Sequence, residues 1–209
     1  MNDFRGRLAE VSGLSLSLEI TTALWTHYEE LRRWNRRLSL VGPGTALEVI
    51  ERHYGESLLG LEFLGSKPGN LVDIGSGGGF PGIVLATAAS HLKVTLVEPK
   101  QKKWAFLSTC IRRCGLLSCQ AVNARVERPF PPNLHLPSSI DWISVRALVV
   151  PSELFEAFSE HSPNARFLVW CGKDDPDLPT GWSVDRELPI DASAHRRVLD
   201  IGYRAPTVD

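Results

Sequence analysis

The stretch "LVDIGSGGGFPG", Leu71 to Gly82, decides how the chain is read. LVDI has the apolar density of a buried strand, the glycines form a turn, and PGIVLATAAS behind them has helical texture. A glycine turn between strand and helix lets a ligand approach the backbone closely, because no Cβ intervenes and positive φ is accessible. Two registers of G-x-G-x-x-G fit here. The one from Gly75 fails at its third position, Phe80, and the one from Gly77 is complete but starts late after the strand. A dinucleotide fingerprint needs its first glycine directly after the strand, so that a helix N-terminus meets the pyrophosphate. Asp73 also disfavours a polyphosphate, since a carboxylate at the strand end repels it.

The same geometry suits a ligand carrying an ammonium group and an adenosine. Asp73 can face the ammonium, directly or through water, while the backbone at Gly75 and Gly77 admits the rest; S-adenosylmethionine has those parts. Glu98 closes KVTLVE, where a carboxylate accepts hydrogen bonds from ribose hydroxyls. That feature is shared by nicotinamide dinucleotides and S-adenosylmethionine, and a solvated strand-end Glu is the bland alternative. Phe80 either covers the cofactor or packs as a core residue.

Outward from this unit, short apolar runs alternate with helical ones, as in βαβ units. KVTLVE, CQAVNAR, DWISVRAL and RFLVWCG read as further strands, with QKKWAFLSTCIRRCG and SELFEAF as helices between them. WSVDRELPI and RRVLDIGYR read as an antiparallel pair at the sheet edge, separated by the turn-like DASAH. The expectation is a doubly wound, seven-stranded, mostly parallel α/β sheet of the Rossmann-like kind. Before it, Ser17 to Leu38 and Thr45 to Leu64 carry apolar residues at helical spacing, broken by "VGPG". Residues 1–66 therefore form an N-terminal helical extension, and residues 67–209 the core, within one structural domain.

Composition excludes several classes. The chain has 209 residues, 43% hydrophobic and 22% charged, with a formal net charge of -1, so a polyanion partner must be held by local basic clusters. No window has signal-peptide or membrane-spanning character, which points to a cytoplasmic protein. Cys110, Cys114, Cys119 and Cys171 lack C-x-x-C spacing, so reduced thiols are expected rather than disulfides or a metal site.

Several stretches carry a family resemblance: "RRWNRRLSL", "ERHYGESL", "VDIGSGGGFPGIVLA", "VTLVEPKQKKWAFL", "NARVE" and "WISVRAL", in that order. Together they resemble the ribosomal RNA small-subunit methyltransferase G family, also called glucose-inhibited division protein B, a class I S-adenosylmethionine-dependent fold. The resemblance implies methyl transfer to N7 of a guanine in 16S ribosomal RNA. It places Gly75 and Phe80 at the cofactor, Val126 and Glu127 of "RVE" beside the adenine, Arg146 after the fourth strand, and Glu98 at the ribose. Lys102 and Lys103 match a basic pair that meets RNA phosphate. The chain departs from the family pattern at Glu56, where Asp is usual, at Ser39, Leu40 and Val41, where N-L-T is usual, at Cys171, where Lys is usual, and at "AHRR", a loose form of G-x-R-H.

Guanine N7 carries an available lone pair, so its methylation needs alignment and charge tolerance rather than a general base. Neighbouring chemistries lack their residues: "SVRAL" stands where amine methylases carry an Asp/Asn-Pro-Pro-aromatic loop, no Pro-Cys offers a cytosine nucleophile, and "GSG" is not a hydrolase elbow. Candidate phosphate contacts are Arg32, Arg33, Arg36 and Arg37, then Arg52 and His53, Lys100, Lys102 and Lys103, and Arg196 and Arg197. Salt bridging to Asp141 or Glu127 is the structural alternative for Arg146. Trp34 and Asn35 are expected to hold the extension against the core. The partner is then 16S ribosomal RNA or the 30S subunit, met by a monomer. Methyl transfer to another RNA, a protein or a small molecule, and a non-catalytic RNA-binding module, remain the alternatives.

Overall fold

The computed structural model describes residues 2–190 and 195–204. Among these, seven strands form one sheet: β1 (Gly69–Ile74), β2 (Leu92–Val97), β3 (Cys119–Val122), β4 (Trp142–Arg146), β5 (Arg166–Cys171), β6 (Trp182–Pro189) and β7 (Arg197–Tyr203). Their spatial order is β3-β2-β1-β4-β5-β7-β6. The first five are parallel, β7 runs antiparallel to β5, and β6 closes the edge antiparallel to β7. The expected architecture and terminal hairpin are therefore present. Asp191 to Ala194 of the DASAH turn lie outside the described residues.

Period-two alternation sends each strand's side chains to two cores. Leu71, Leu96, Leu168 and Trp170 face one core, shared with the N-terminal helices. Val72, Ile74, Ile143, Val145, Phe167 and Val169 face the other, covered by Phe155 and Phe158 of α8 (Ser152–His161). Between β1 and β2 lies α6 (Gly82–Ala88), and between β2 and β3 lies α7 (Gln101–Arg113).

Helix α2 (Leu18–Leu38) starts where its pattern predicts, with the Ser17 side chain accepting a hydrogen bond from the Ile20 N–H. Leu24, Tyr28 and Leu31 form its buried stripe. Trp34 meets Phe106 of α7 edge-on at 5.9 Å, and Asn35 Oδ1 accepts from the N–H groups of Leu40 and Val41 at 2.6 and 3.0 Å. Trp34 thus fastens the extension to the sheet domain, whereas Asn35 was expected to do the same and instead holds the turn after α2 within the extension itself. A further helix, α1 (Asn2–Ser12), was not expected from the pattern, because its apolar face is a short stripe around Phe4 and Leu8. Phe4 seats against Trp25, Tyr28 and Tyr54.

The continuous helix expected from Thr45 to Leu64 is instead broken into α3 (Ala46–Val49), a π-helical turn (Ile50–Gly55), α4 (Glu56–Leu58) and α5 (Leu61–Leu64). The run stays helical from Ala46 to Leu58 and is interrupted by a turn at Leu59 and Gly60, so glycines stand where the π-helical turn ends and where the interruption falls. A Cβ at Gly55 would lie 3.0 Å from Val11, and one at Gly60 would lie 2.9 Å from the Trp170 ring. Both positions are close approaches to neighbouring elements, and glycine weakens the helix there. β3 ends at Val122 rather than running on to Arg125, since Asn123 turns its side chain to donate to the carbonyls of Glu98 and Pro99 at 2.9 and 3.1 Å. Among the described residues, no helix is long and apolar enough to cross a membrane.

Candidate cofactor and RNA site

The glycine loop leaves β1 at its carboxyl end, next to the crossover where β1 pairs with β2 on one side and β4 on the other. Ligands of open α/β sheets bind at such a point. Gly75, Gly77 and Gly79 have φ of +69°, +51° and +85°, so L side chains are strained at all three. Glu98 ties the loop to the end of β2. Its Oε2 accepts from the Gly77 N–H at 3.0 Å and its Oε1 from the Lys100 N–H at 2.8 Å. The acidic residue expected at a ribose is thus also a brace for the loop.

Asp73 is 1% exposed and lies directly across from Ser144 in the β1–β4 register. Its Oδ1 accepts from the Ser144 hydroxyl at 2.6 Å, while Oδ2 is buried beside the Gly82 backbone at the start of α6. Burial pushes this carboxyl up to about 6. A buried acceptor oxygen beneath a glycine loop fits a cationic ligand group and opposes an anionic one. Leu148, from the loop after β4, packs against Gly75.

Phe80 follows the loop into an aromatic cluster. Its ring centroid lies 5.0 Å from those of His53 and Tyr54 and 5.3 Å from that of His27. The core-packing alternative for Phe80 is the arrangement present here. His27 is a loop-holding residue that sequence reading missed; its sole signal was a polar residue on the buried stripe between Leu24 and Leu31. Its Nε2 lies 3.0 Å from the Gly78 carbonyl, which can only accept, so Nδ1 is the acceptor for the Tyr54 hydroxyl at 2.8 Å. Burial depresses the imidazole to about 4, in keeping with this neutral tautomer.

Arg146, at the end of β4, reaches the extension. It donates to the carbonyls of Arg52 and His53 at 2.6 and 3.3 Å, to the Ser57 hydroxyl at 3.2 Å and to Glu56 Oε2 at 2.6 Å. The π-helical turn supplies the first two carbonyls. Glu56, not Asp141 or Glu127, is therefore its acidic partner. Asp141 sits at the opposite end of β4, accepting from the Asn70 N–H, and exposed Glu127 pairs with Arg125. Glu56 Oε1 also pairs with Arg196, so one carboxylate joins β4, the extension and the chain before β7.

A cleft of about 830 Å³ opens at this junction, lined in part by Gly44, Arg52, His53, Glu56, Arg146 and Arg196. A second, of about 840 Å³, is lined by Arg32, Arg33 and Arg36 of α2, and the two share Gly42, Pro43 and Gly44. Arg32, Arg33, Arg36, Arg37, Lys100 and Lys102 are exposed. Three expected phosphate contacts sit differently. His53 is half-buried and depressed to about 4, by burial and then by Arg146 and Arg52, so it is neutral at pH 7. Half-buried Lys103 leans toward the glycine loop, its Nζ 4.0 Å from the Cβ position of Gly77. Arg197 is 16% exposed and is held by Asp175 at 2.6 Å and Glu187 at 3.7 Å, so its charge is already matched within the fold. Val126 and Glu127 lie in the coil after β3, Val126 half-buried against the core.

The architecture is shared with solved structures of distant sequence, a methylase among them. A structure of a ribosomal protein L11 methylase from Lactobacillus delbrueckii subsp. bulgaricus matches with a TM-score of 0.54 at 12% identity, over 74% of this chain and 79% of that one. A mutant of MtNAS solved with S-adenosylmethionine matches with a TM-score of 0.59 at 15% identity, over 95% and 78%. At such identities the likeness is one of fold. Sequence relatives carry more. A Ribosomal RNA small subunit methyltransferase G from Rhizobium rhizogenes is 37% identical over 79% of this chain and 80% of that relative. One of the same name from Azoarcus sp. is 33% identical over 97% and 99%. The rRNA small subunit methyltransferase G description matches residues 20–177, the span from α2 past β5 that contains the glycine loop, Glu98, Glu56 and Arg146. The chain belongs to the rRNA small subunit methyltransferase G family.

Proposed function

We propose that this protein transfers the methyl group of S-adenosylmethionine to N7 of a guanine in 16S ribosomal RNA, acting as a cytoplasmic monomer on the RNA or the 30S subunit. The observation that carries the proposal is the joining of two features at the carboxyl ends of the parallel strands. A glycine loop over the buried Asp73 oxygen suits a cationic adenosyl ligand, and a cleft lined by arginines opens beside it.

Asp73, Gly75, Gly77 and Glu98 would hold the cofactor, with Val126 and Glu127 toward its base. When bound, S-adenosylmethionine supplies a sulfonium methyl: the guanine N7 lone pair forms the new C–N bond while the S–C electron pair stays with sulfur. No side chain has to remove a proton from N7 beforehand. What the chain contributes is alignment and a surrounding that accepts positive charge on the purine. Glu56 pairs with both Arg146 and Arg196, and the lining also sets Glu48 and Glu51 against Arg52, so the cleft wall holds guanidinium groups without a large excess of positive charge. Arg32, Arg33 and Arg36 lie along the neighbouring cleft, where they can follow a phosphate backbone.

Labelled methyl transfer from S-adenosylmethionine to purified 30S subunits, with the modified base mapped, tests the proposal. Label on a guanine N7 is the expected result. Label on protein or metabolites only, or calorimetry showing no cofactor binding at millimolar ligand, would overturn it.

A further inference from the structure

We propose that His53 contacts the substrate: the acceptor guanine stacks on its imidazole, which is backed by Phe80, in the cleft beside Arg146. The proposal rests on the methyl-transfer function above and names the surface that receives the base. Four observations support it. His53 lines the cleft, and its ring is tilted against that of Phe80, with centroids 5.0 Å apart and an interplanar angle of 30°. Phe80 is itself held edge-on by Tyr54 and His27, so the two rings form a fixed platform rather than a pair of loose side chains. The cleft adjoins the cofactor loop, because Arg146 and Ala147 line it while Leu148, the next residue, packs on Gly75. Its volume of about 830 Å³ is ample for a purine nucleotide.

The chemistry agrees with the geometry. Splayed RNA bases are commonly received on aromatic or imidazole rings. During transfer the purine gains positive charge, which the face of a neutral ring tolerates and an imidazolium repels. His53 is kept neutral by burial and by the guanidinium groups of Arg146 and Arg52. A histidine pairing with phosphate by charge would instead need to be protonated.

The test has two parts. Titrating guanosine 5′-monophosphate into the wild-type protein should move the His53 ring protons upfield by ring current, more strongly than cytidine 5′-monophosphate does. On 30S subunits, His53→Ala should lower kcat about ten-fold or more, as loss of one stacking surface does. His53→Phe should recover most of it, with cofactor affinity by calorimetry within about two-fold of wild type in both variants. A His53→Ala variant at wild-type kcat, His53→Phe as impaired as His53→Ala, or His53 protons unmoved by the guanosine nucleotide would each overturn the proposal. Wild-type protein that leaves the subunit unlabelled overturns the methyl-transfer function and this inference together, whereas labelling that survives in His53→Ala overturns this inference alone.

Discussion

Replacing Glu56 with alanine leaves the largely buried Arg146 cation without its carboxylate. The two side chains are 9% and 11% exposed and their charged atoms are 2.6 Å apart. Burial alone lowers the Arg146 pKa, and Glu56 is the largest influence opposing that. Removing one partner of a buried pair costs about 3–5 kcal/mol. Here Arg146 keeps the carbonyls of Arg52 and His53 and the Ser57 hydroxyl, so the lower end applies, about 3 kcal/mol. For a chain of this size that corresponds to a fall in Tm of roughly 6–12 °C. Glu56→Gln keeps a hydrogen-bonding amide of the same length and should lose less than half as much. Because the pair is buried, the Glu56→Ala deficit should persist in high salt. Thermal melts followed by circular dichroism, at low and high ionic strength, give both quantities. An alanine variant melting within about 2 °C of wild type, or a glutamine variant as weak as the alanine one, would refute the assignment of Glu56 as the partner of a buried cation.

Histidine titration by NMR should find His27 and His53 with midpoints of about 4 rather than the ordinary 6.5. The unfolded chain then takes up protons first as pH falls, so these groups remove stability between about 6.5 and about 4 and nothing further below; a midpoint near 6.5 for His27 would contradict its burial. Gly82→Ala places a Cβ 2.5 Å from Asp73 Oδ2 and against Leu96, and should cost about 1–3 kcal/mol in urea unfolding; an unchanged midpoint would mean that the start of α6 shifts freely. Gly75→Asp puts an anionic side chain at φ +69° beside the loop and should abolish S-adenosylmethionine binding in calorimetry, near-native affinity being the contrary result. Charge reversal at Arg32 and Arg36 should flatten the salt dependence of RNA binding by about one unit of slope for each phosphate no longer neutralised, whereas reversal at Arg197 should unfold the β7 end rather than change that slope.

Much of the molecule was legible in the sequence because its elements obey local rules. The strands from β1 to β5 alternate between two cores, α2 and α7 carry amphipathic stripes, and Ser17 caps a helix where the pattern begins. The failures share a cause. The helix from Thr45 to Leu64 has an unbroken apolar pattern, yet Val11 and Trp170, far away in sequence, need the space that Gly55 and Gly60 leave open. α1 was invisible because its few apolar residues find their partners in Trp25, Tyr28 and Tyr54 rather than in its own periodicity.

The candidate site divides in the same way. By itself the sequence determined the glycine loop, the carboxylate near the end of β1 and the acidic residue at the end of β2, because these lie within one βαβ unit and depend on spacing along the chain. Only the tertiary structure decided that Arg146 belongs to Glu56, that His27 holds Gly78, that Phe80 backs His53, and that Arg197 is spent on Asp175. Each of those pairings joins residues distant in sequence, and the partner of a buried charge or ring is fixed by which elements pack together.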